Sequence, residues 1–170
     1  MVVPAWALSL SYWLHMLATV VWIGGLATVS LVTLPLITRL DDPGARLDFL
    51  HSTQKKLDPL GWLSLLVLIG TGLVQMSASD QYDGLLAFGN AWARAILLKH
   101  IVILGMIGLS AYLTWAALPE LSRAVMRTSR GRGDPTEVDV LFRKHRLILW
   151  GNLIFGVVVL IFTALARVNA

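Results

Sequence analysis

Apolar residues dominate four long stretches of the chain, residues 2–37, 60–78, 91–118 and 147–166, with polar segments between them. Each stretch reaches the roughly 18 residues at which an apolar run reads as a membrane-crossing helix. The first is too long for a single crossing, so its span is taken as residues 9–37, the remainder lying in an interface or beyond the bilayer. No basic stretch precedes it, and it far exceeds the apolar core of a secretory signal, so it is not read as one. The segments between the runs carry their own helix signals. Asp42-Pro43 is a cap followed by proline at the first helical position. An amphipathic stretch then leads to Asp58-Pro59, where a kink or break is predicted. Leu47, Leu50, Gln54 and Lys55 read as an interfacial helix feeding the second span. No four-fold repeat is visible, and Ser129-Arg130-Gly131-Arg132-Gly133-Asp134-Pro135 is the one loop of low complexity.

Composition turns the pattern into a class. Of 170 residues, 56% are hydrophobic and 14% charged, and the mean hydropathy is +0.72. Soluble domains carry about 25% charged residues, and a chain this short cannot hide the difference in a core. The predicted fold is therefore all-α: one integral membrane domain, residues 1–170, folded as an antiparallel four-helix bundle. Without cysteine, disulfide scaffolds, thiolate zinc sites and iron–sulfur clusters are excluded.

Four spans place both termini and the loop 79–90 on one side, and the loops 38–58 and 119–146 on the other. Arg39, Arg46, Lys55, Lys56, Arg123, Arg127, Arg130, Arg132, Arg143, Lys144 and Arg146 are on the second side, 11 of the 14 basic residues. The positive-inside rule makes that side cytoplasmic and the termini extracytoplasmic, in the inner or plasma membrane. The net charge of +4 then records topology, and the partner it implies is the lipid bilayer, not nucleic acid. The sequence leaves homo-oligomerisation and any redox partner or quinone open.

The candidate chemistry centres on four histidines. His15 and His100 lie in the extracytoplasmic halves of the first and third spans; His51 and His145 lie toward the cytoplasm. His15 precedes Pro35 by 20 residues and His100 precedes Pro119 by 19. If the prolines mark one level, the two imidazoles sit within about 2 Å of each other along the membrane normal. Level imidazoles on diagonal helices can ligate one haem iron from both faces, and an ionisable residue in a span is a functional candidate by default. Against this stands the bland role of a histidine as a hydrogen-bond partner. His51 and His145 are less well matched: a continuous helix would leave His51 roughly 9 Å deeper toward the cytoplasm, and His145 lies in the basic run Arg143-Lys144-His145-Arg146, suited to anionic headgroups.

Other intramembrane residues add detail. Arg94, Lys99 and Arg167 could neutralise haem propionates or snorkel to headgroups, with Lys99 the deeper case. Trp22, seven residues from His15, could line a porphyrin pocket, whereas Trp6, Trp13, Trp62, Trp92 and Trp150 read as interfacial anchors. Asn152 suggests a hydrogen bond inside the bundle, and glycines in all four spans suggest close helix approach. His15 with Met76 and His100 forms a rival set for Cu(I). Met16 follows His15 directly and points about 100° away on a helix. The ten acidic residues fall in predicted loops or at span ends, which argues against a transporter built on a buried carboxylate.

Leu14-His15-Met16-Leu17-Ala18-Thr19-Val20-Val21-Trp22-Ile23-Gly24-Gly25-Leu26 resembles the opening helix of the copper-resistance D (CopD) membrane domain. Thr71-Gly72-Leu73 and the stretch from Leu85 to Leu121, with Phe88-Gly89, Leu97-Leu98-Lys99 and Leu118-Pro119-Glu120-Leu121, are similar to later motifs of that family. The order and spacing of these motifs carry the resemblance, which implies copper uptake or tolerance. His15 and Lys99 also match a first-helix His and a later-helix Lys in HemJ-type protoporphyrinogen oxidases. Those chains follow the first-helix proline with arginine, where this one has Leu36. The resulting expectation is a membrane electron-transfer protein with one b-type haem at His15 and His100. A second haem at His51 and His145 would complete a transmembrane relay. Copper handling and porphyrinogen oxidation are the alternatives.

Overall fold

Asp42 and Asp134 each precede a proline, and each starts a long helix. The Asp42 carboxylate accepts from the Ala45 N–H at 2.8 Å, and Asp134 accepts from Thr136 N–H at 2.8 Å. Proline at the next position has no N–H to leave unsatisfied and a φ already suited to the helix. Asn90 does the same work for a third helix, accepting from Ala93 N–H at 2.7 Å.

The computed structural model describes residues 3–82, 84 and 88–169. Helix α1 (Ala5–Ala27) continues through a π-helical segment (Thr28–Thr33) into α2 (Leu34–Ile37), and α3 covers Pro43–Ser77. Helix α4 (Ala91–Tyr112) continues through a second π-helical segment (Leu113–Ala117) into α5 (Leu118–Ser129), and α6 covers Pro135–Val168. Val2 and Leu85, which open the first apolar run and the later CopD-like stretch, lie outside the described residues. Among the described residues every regular element is helical. Four continuous rods, Ala5–Ile37, Pro43–Ser77, Ala91–Ser129 and Pro135–Val168, are each long and apolar enough to cross a membrane.

The rods contain 33 to 39 residues, roughly 50–58 Å of helix against a hydrocarbon layer of roughly 30 Å. They therefore overshoot the spans read from hydropathy. The segments at 38–58 and 119–146 are mostly helix, leaving short turns. The predicted break at Asp58-Pro59 is not a helix end: α3 continues across Pro59. A proline removes one helical hydrogen bond, and the neighbouring turns are sufficient to carry the helix through. The low-complexity loop is a compact stop. Gly131, at φ +68°, lets its N–H reach Thr128 O while Arg132 N–H reaches Arg127 O, both at 3.0 Å, the paired closure of a Schellman motif.

Both π-helical segments lie just before an internal proline, Pro35 and Pro119. A proline ring clashes with the carbonyl four residues earlier, and widening the preceding turn relieves the clash without ending the helix. Near these prolines Leu34, Ile37, Leu47, Leu50, Leu118, Leu121 and Val138 share one buried cluster, so the overshooting ends pack together at what we term the proline end. A second layer joins Trp22, Leu65, Met106 and Val159. At the opposite end Trp92, Ala93, Ala95 and Ala166 form a third.

Contacts between rods run in opposing order. On α1 and α3, residue 11 meets 75, 15 meets 71 and 22 meets 61. On α4 and α6, 105 meets 155, 106 meets 156 and 110 meets 152. Helix α1 packs chiefly on α3, with a smaller contact to α6, and α4 packs on α6. Helix α4 approaches α1 and α3 less closely, meeting them chiefly through the layer of Trp22, Leu65 and Met106. The two helix pairs are thus locked at the proline end, through α5 and the π-helical segments, and loosely joined at the other.

Candidate functional site

His15 is set on α1 by two partners on α3. Its Nδ1 lies 2.8 Å from Thr71 Oγ1, and that hydroxyl donates to Val67 O. A hydroxyl has one proton, so the bond to His15 is made by the imidazole Nδ1–H. The lone pair on Nε2 is left free. Gly72 provides the space, since a Cβ there would lie 3.6 Å from His15 Cε1. One turn away Ser11 donates to Thr71 O at 3.1 Å, and the Gln75 amide donates to Ser11 O at 3.2 Å. Ser11, His15, Thr71 and Gln75 form a polar ladder between two helices, at 11/15 and 71/75. Sequence reading singled out only His15 for chemistry. The i,i+4 spacing of polar residues in two apolar runs was the available signal.

His100 shows the same tautomer by a different route. Its Nδ1 lies 2.7 Å from Ile96 O one turn back, and a carbonyl only accepts. Nε2 is again the free nitrogen. Metal-bound histidines characteristically donate the other ring N–H to a carbonyl or comparable acceptor, which fixes the tautomer and raises ligand basicity. Both imidazoles are partly exposed, and Lys99 and His100 both lie within electrostatic reach of His15. The rods carrying them keep register downstream: Trp22 and Met106 share one layer, and Leu34 and Leu118 share another.

The remaining candidates fall elsewhere. Arg94 is exposed and Lys99 partly buried. Trp22 is buried against the α3 backbone at Gly61, where a Cβ would meet its ring at 3.6 Å; it belongs to the middle layer and not to the His15 ladder. The Arg167 guanidinium lies over Tyr12, 5.9 Å from the ring centroid, and thereby ties the end of α6 to the start of α1. His51 is exposed, whereas His145 is 2% exposed. The side chain facing His145 is Gln54, at 3.4 Å. His51 and Gln54 lie on the same stretch of α3, and it is Gln54 that makes the contact with His145 while His51 is exposed.

For the copper set, Met76 is buried on α3 and Met16 is 61% exposed on α1. Among the described residues no three His, Asp or Glu side chains converge as a metal cluster. Two expected interfacial anchors are instead packing residues: Trp92 is 7% exposed, and Trp62 stacks on Trp115 with centroids 5.1 Å apart. Asn152 makes the internal bond expected of it, donating to Ser110 Oγ at 2.8 Å. Close approach explains Gly72, Gly105 and Gly156, but a Cβ at Gly24, Gly25, Gly70, Gly108 or Gly151 would meet nothing within 4 Å.

No family model, curated protein or solved structure matches this chain.

Proposed function

We propose that this is a CopD-like membrane protein that binds one b-type haem between His15 and His100 and transfers electrons. The observation carrying the proposal is the pair of free Nε2 atoms. Two histidines on different rods each have Nδ1–H engaged and Nε2 available. The haem would supply one-electron chemistry, and two histidine ligands would close its iron to small molecules. Thr71 orients His15, the Ile96 carbonyl orients His100, and Lys99 and Arg94 are the nearby cations for propionates. In this reading the rods form an antiparallel bundle in the cell membrane, with both termini extracytoplasmic and the basic proline end cytoplasmic. The Gln54–His145 contact and the exposure of His51 favour a single haem.

The test is an absorption spectrum of the purified protein, oxidised and reduced, with haem content per chain. A Soret band, a sharp reduced α-band and a content near one are expected, each lost in His15→Ala and His100→Ala. A protein that stays colourless after expression with supplied haem would overturn the proposal and favour copper at the outer face. A porphyrinogen oxidase activity that depends on Lys99 would favour the HemJ-like alternative.

A further inference from the structure

A cavity of about 60 Å³ lies toward the proline end, with Gln54, Asp58, Ser110 and Thr114 supplying its polar side and Trp22 and Trp62 among its walls. Roughly 10–15 Å³ of such space admits one water, so there is room for an ion and a few waters. Its hydrogen bonding is lopsided. The Thr114 hydroxyl donates to Asp58 Oδ2 at 3.0 Å. Ser110 Oγ already accepts from Asn152. Gln54 uses its amide N–H on His145, while its Oε1, in a residue 4% exposed, has no partner.

What faces the cavity is therefore mostly lone pairs: Gln54 Oε1, the second Asp58 oxygen and Thr114 Oγ1, with the Ser110 hydroxyl the one unspent proton. Asp58 also lacks a cation. The ion pairs among the described residues are Arg46–Asp139, Lys144–Glu120 and Arg127–Glu137. Asp58 is half-buried and Gln54 buried; an orphaned buried carbonyl beside an unpaired carboxylate is costly, and an occupant with positive charge satisfies both. Four oxygens without sulfur or imidazole select a hard ion, and one carboxylate matches a single positive charge.

We propose that this cavity is a site for one sodium ion, with Asp58 supplying the charge and Gln54, Ser110 and Thr114 the neutral oxygens. The proposal is independent of the haem. It is tested on the purified protein by thermal unfolding at constant ionic strength in sodium, potassium or choline chloride, and by line broadening in the sodium-23 NMR signal. Sodium is expected to raise the midpoint saturably, as a ligand of the folded state does, with potassium weaker and choline without effect. Asp58→Asn keeps an acceptor for Thr114 and is expected to fold yet lose the sodium-specific rise. Gln54→Leu is expected to weaken sodium binding roughly tenfold. If Asp58→Asn does not fold, Ser110→Ala provides the check: the lost Asn152 bond lowers the midpoint in choline, and the rise from choline to sodium is expected to be smaller than in the wild type. Equal midpoints in sodium and choline, or an unchanged sodium response in these variants, would overturn the site. So would an infrared band showing Asp58 protonated together with no response to sodium.

Discussion

Thr71 shows how much one side chain can decide. Its hydroxyl oxygen accepts from the His15 N–H while its O–H donates to the Val67 carbonyl, so it selects the nitrogen that His15 presents. Thr71→Val keeps the shape and removes the acceptor. If His15 holds the proposed haem, its retention is expected to weaken about 10–100-fold, the cost typical of losing the partner that orients a metal-bound histidine. Thr71→Ser should restore most of it while helix content by circular dichroism stays constant. A purely packing role for Thr71 would reverse that order. His15 was legible as a candidate because it is an ionisable residue in a long apolar run. The partner was not, because threonine is ordinary in a membrane helix and only the approach of α3 makes this one an orienting group. Asp58 is the opposite case. It looks like a span-end acid in the sequence, yet it lies inside a continuous helix opposite Thr114.

At the scale of elements, starts and stops were easily read because they depend on local chemistry. Asp42-Pro43 and Asp134-Pro135 cap α3 and α6, and each cap acts on its own helix. Asp42→Ala and Asp134→Ala should each cost about 1 kcal/mol, and their effects should nearly add if the sites are independent. Denaturation in mild detergent measures both. Gly131→Ala is expected to cost a similar amount, roughly 1 kcal/mol, because the positive φ of the Schellman turn excludes a Cβ. Gly133→Ala is expected to be more damaging, since its Cβ would lie 2.7 Å from the Thr128 backbone nitrogen. What local chemistry hid was continuity. A proline reads as an interruption, but Pro35, Pro59 and Pro119 all lie within continuous rods, two of them behind widened π turns that absorb the clash.

For the whole molecule, the uneven distribution of basic residues predicts orientation, and the absence of native cysteine makes that prediction easy to test. Ser79→Cys and Ser129→Cys mark the two ends. In intact cells a membrane-impermeant maleimide is expected to label residue 79 and to reach residue 129 only after permeabilisation. The reverse pattern would invert the proposed topology. The rods also exceed the bilayer by about 20 Å. Limited proteolysis should therefore spare most of the proline end, where the buried cluster of Leu50, Leu121 and Val138 holds the extensions together.

The sequence by itself determined the helical class, the four membrane-length runs and the caps. Each follows from apolar run length, local capping or a fixed rise per residue, none of which requires a neighbour. Tertiary structure decided which pairs meet: Thr71 with His15, Gln54 with His145, and Asp58 with Thr114. Those pairings depend on how each helix is rotated about its axis against the next. In a nearly uniform apolar helix no strong polar face sets that rotation, so packing of the buried layers chooses it.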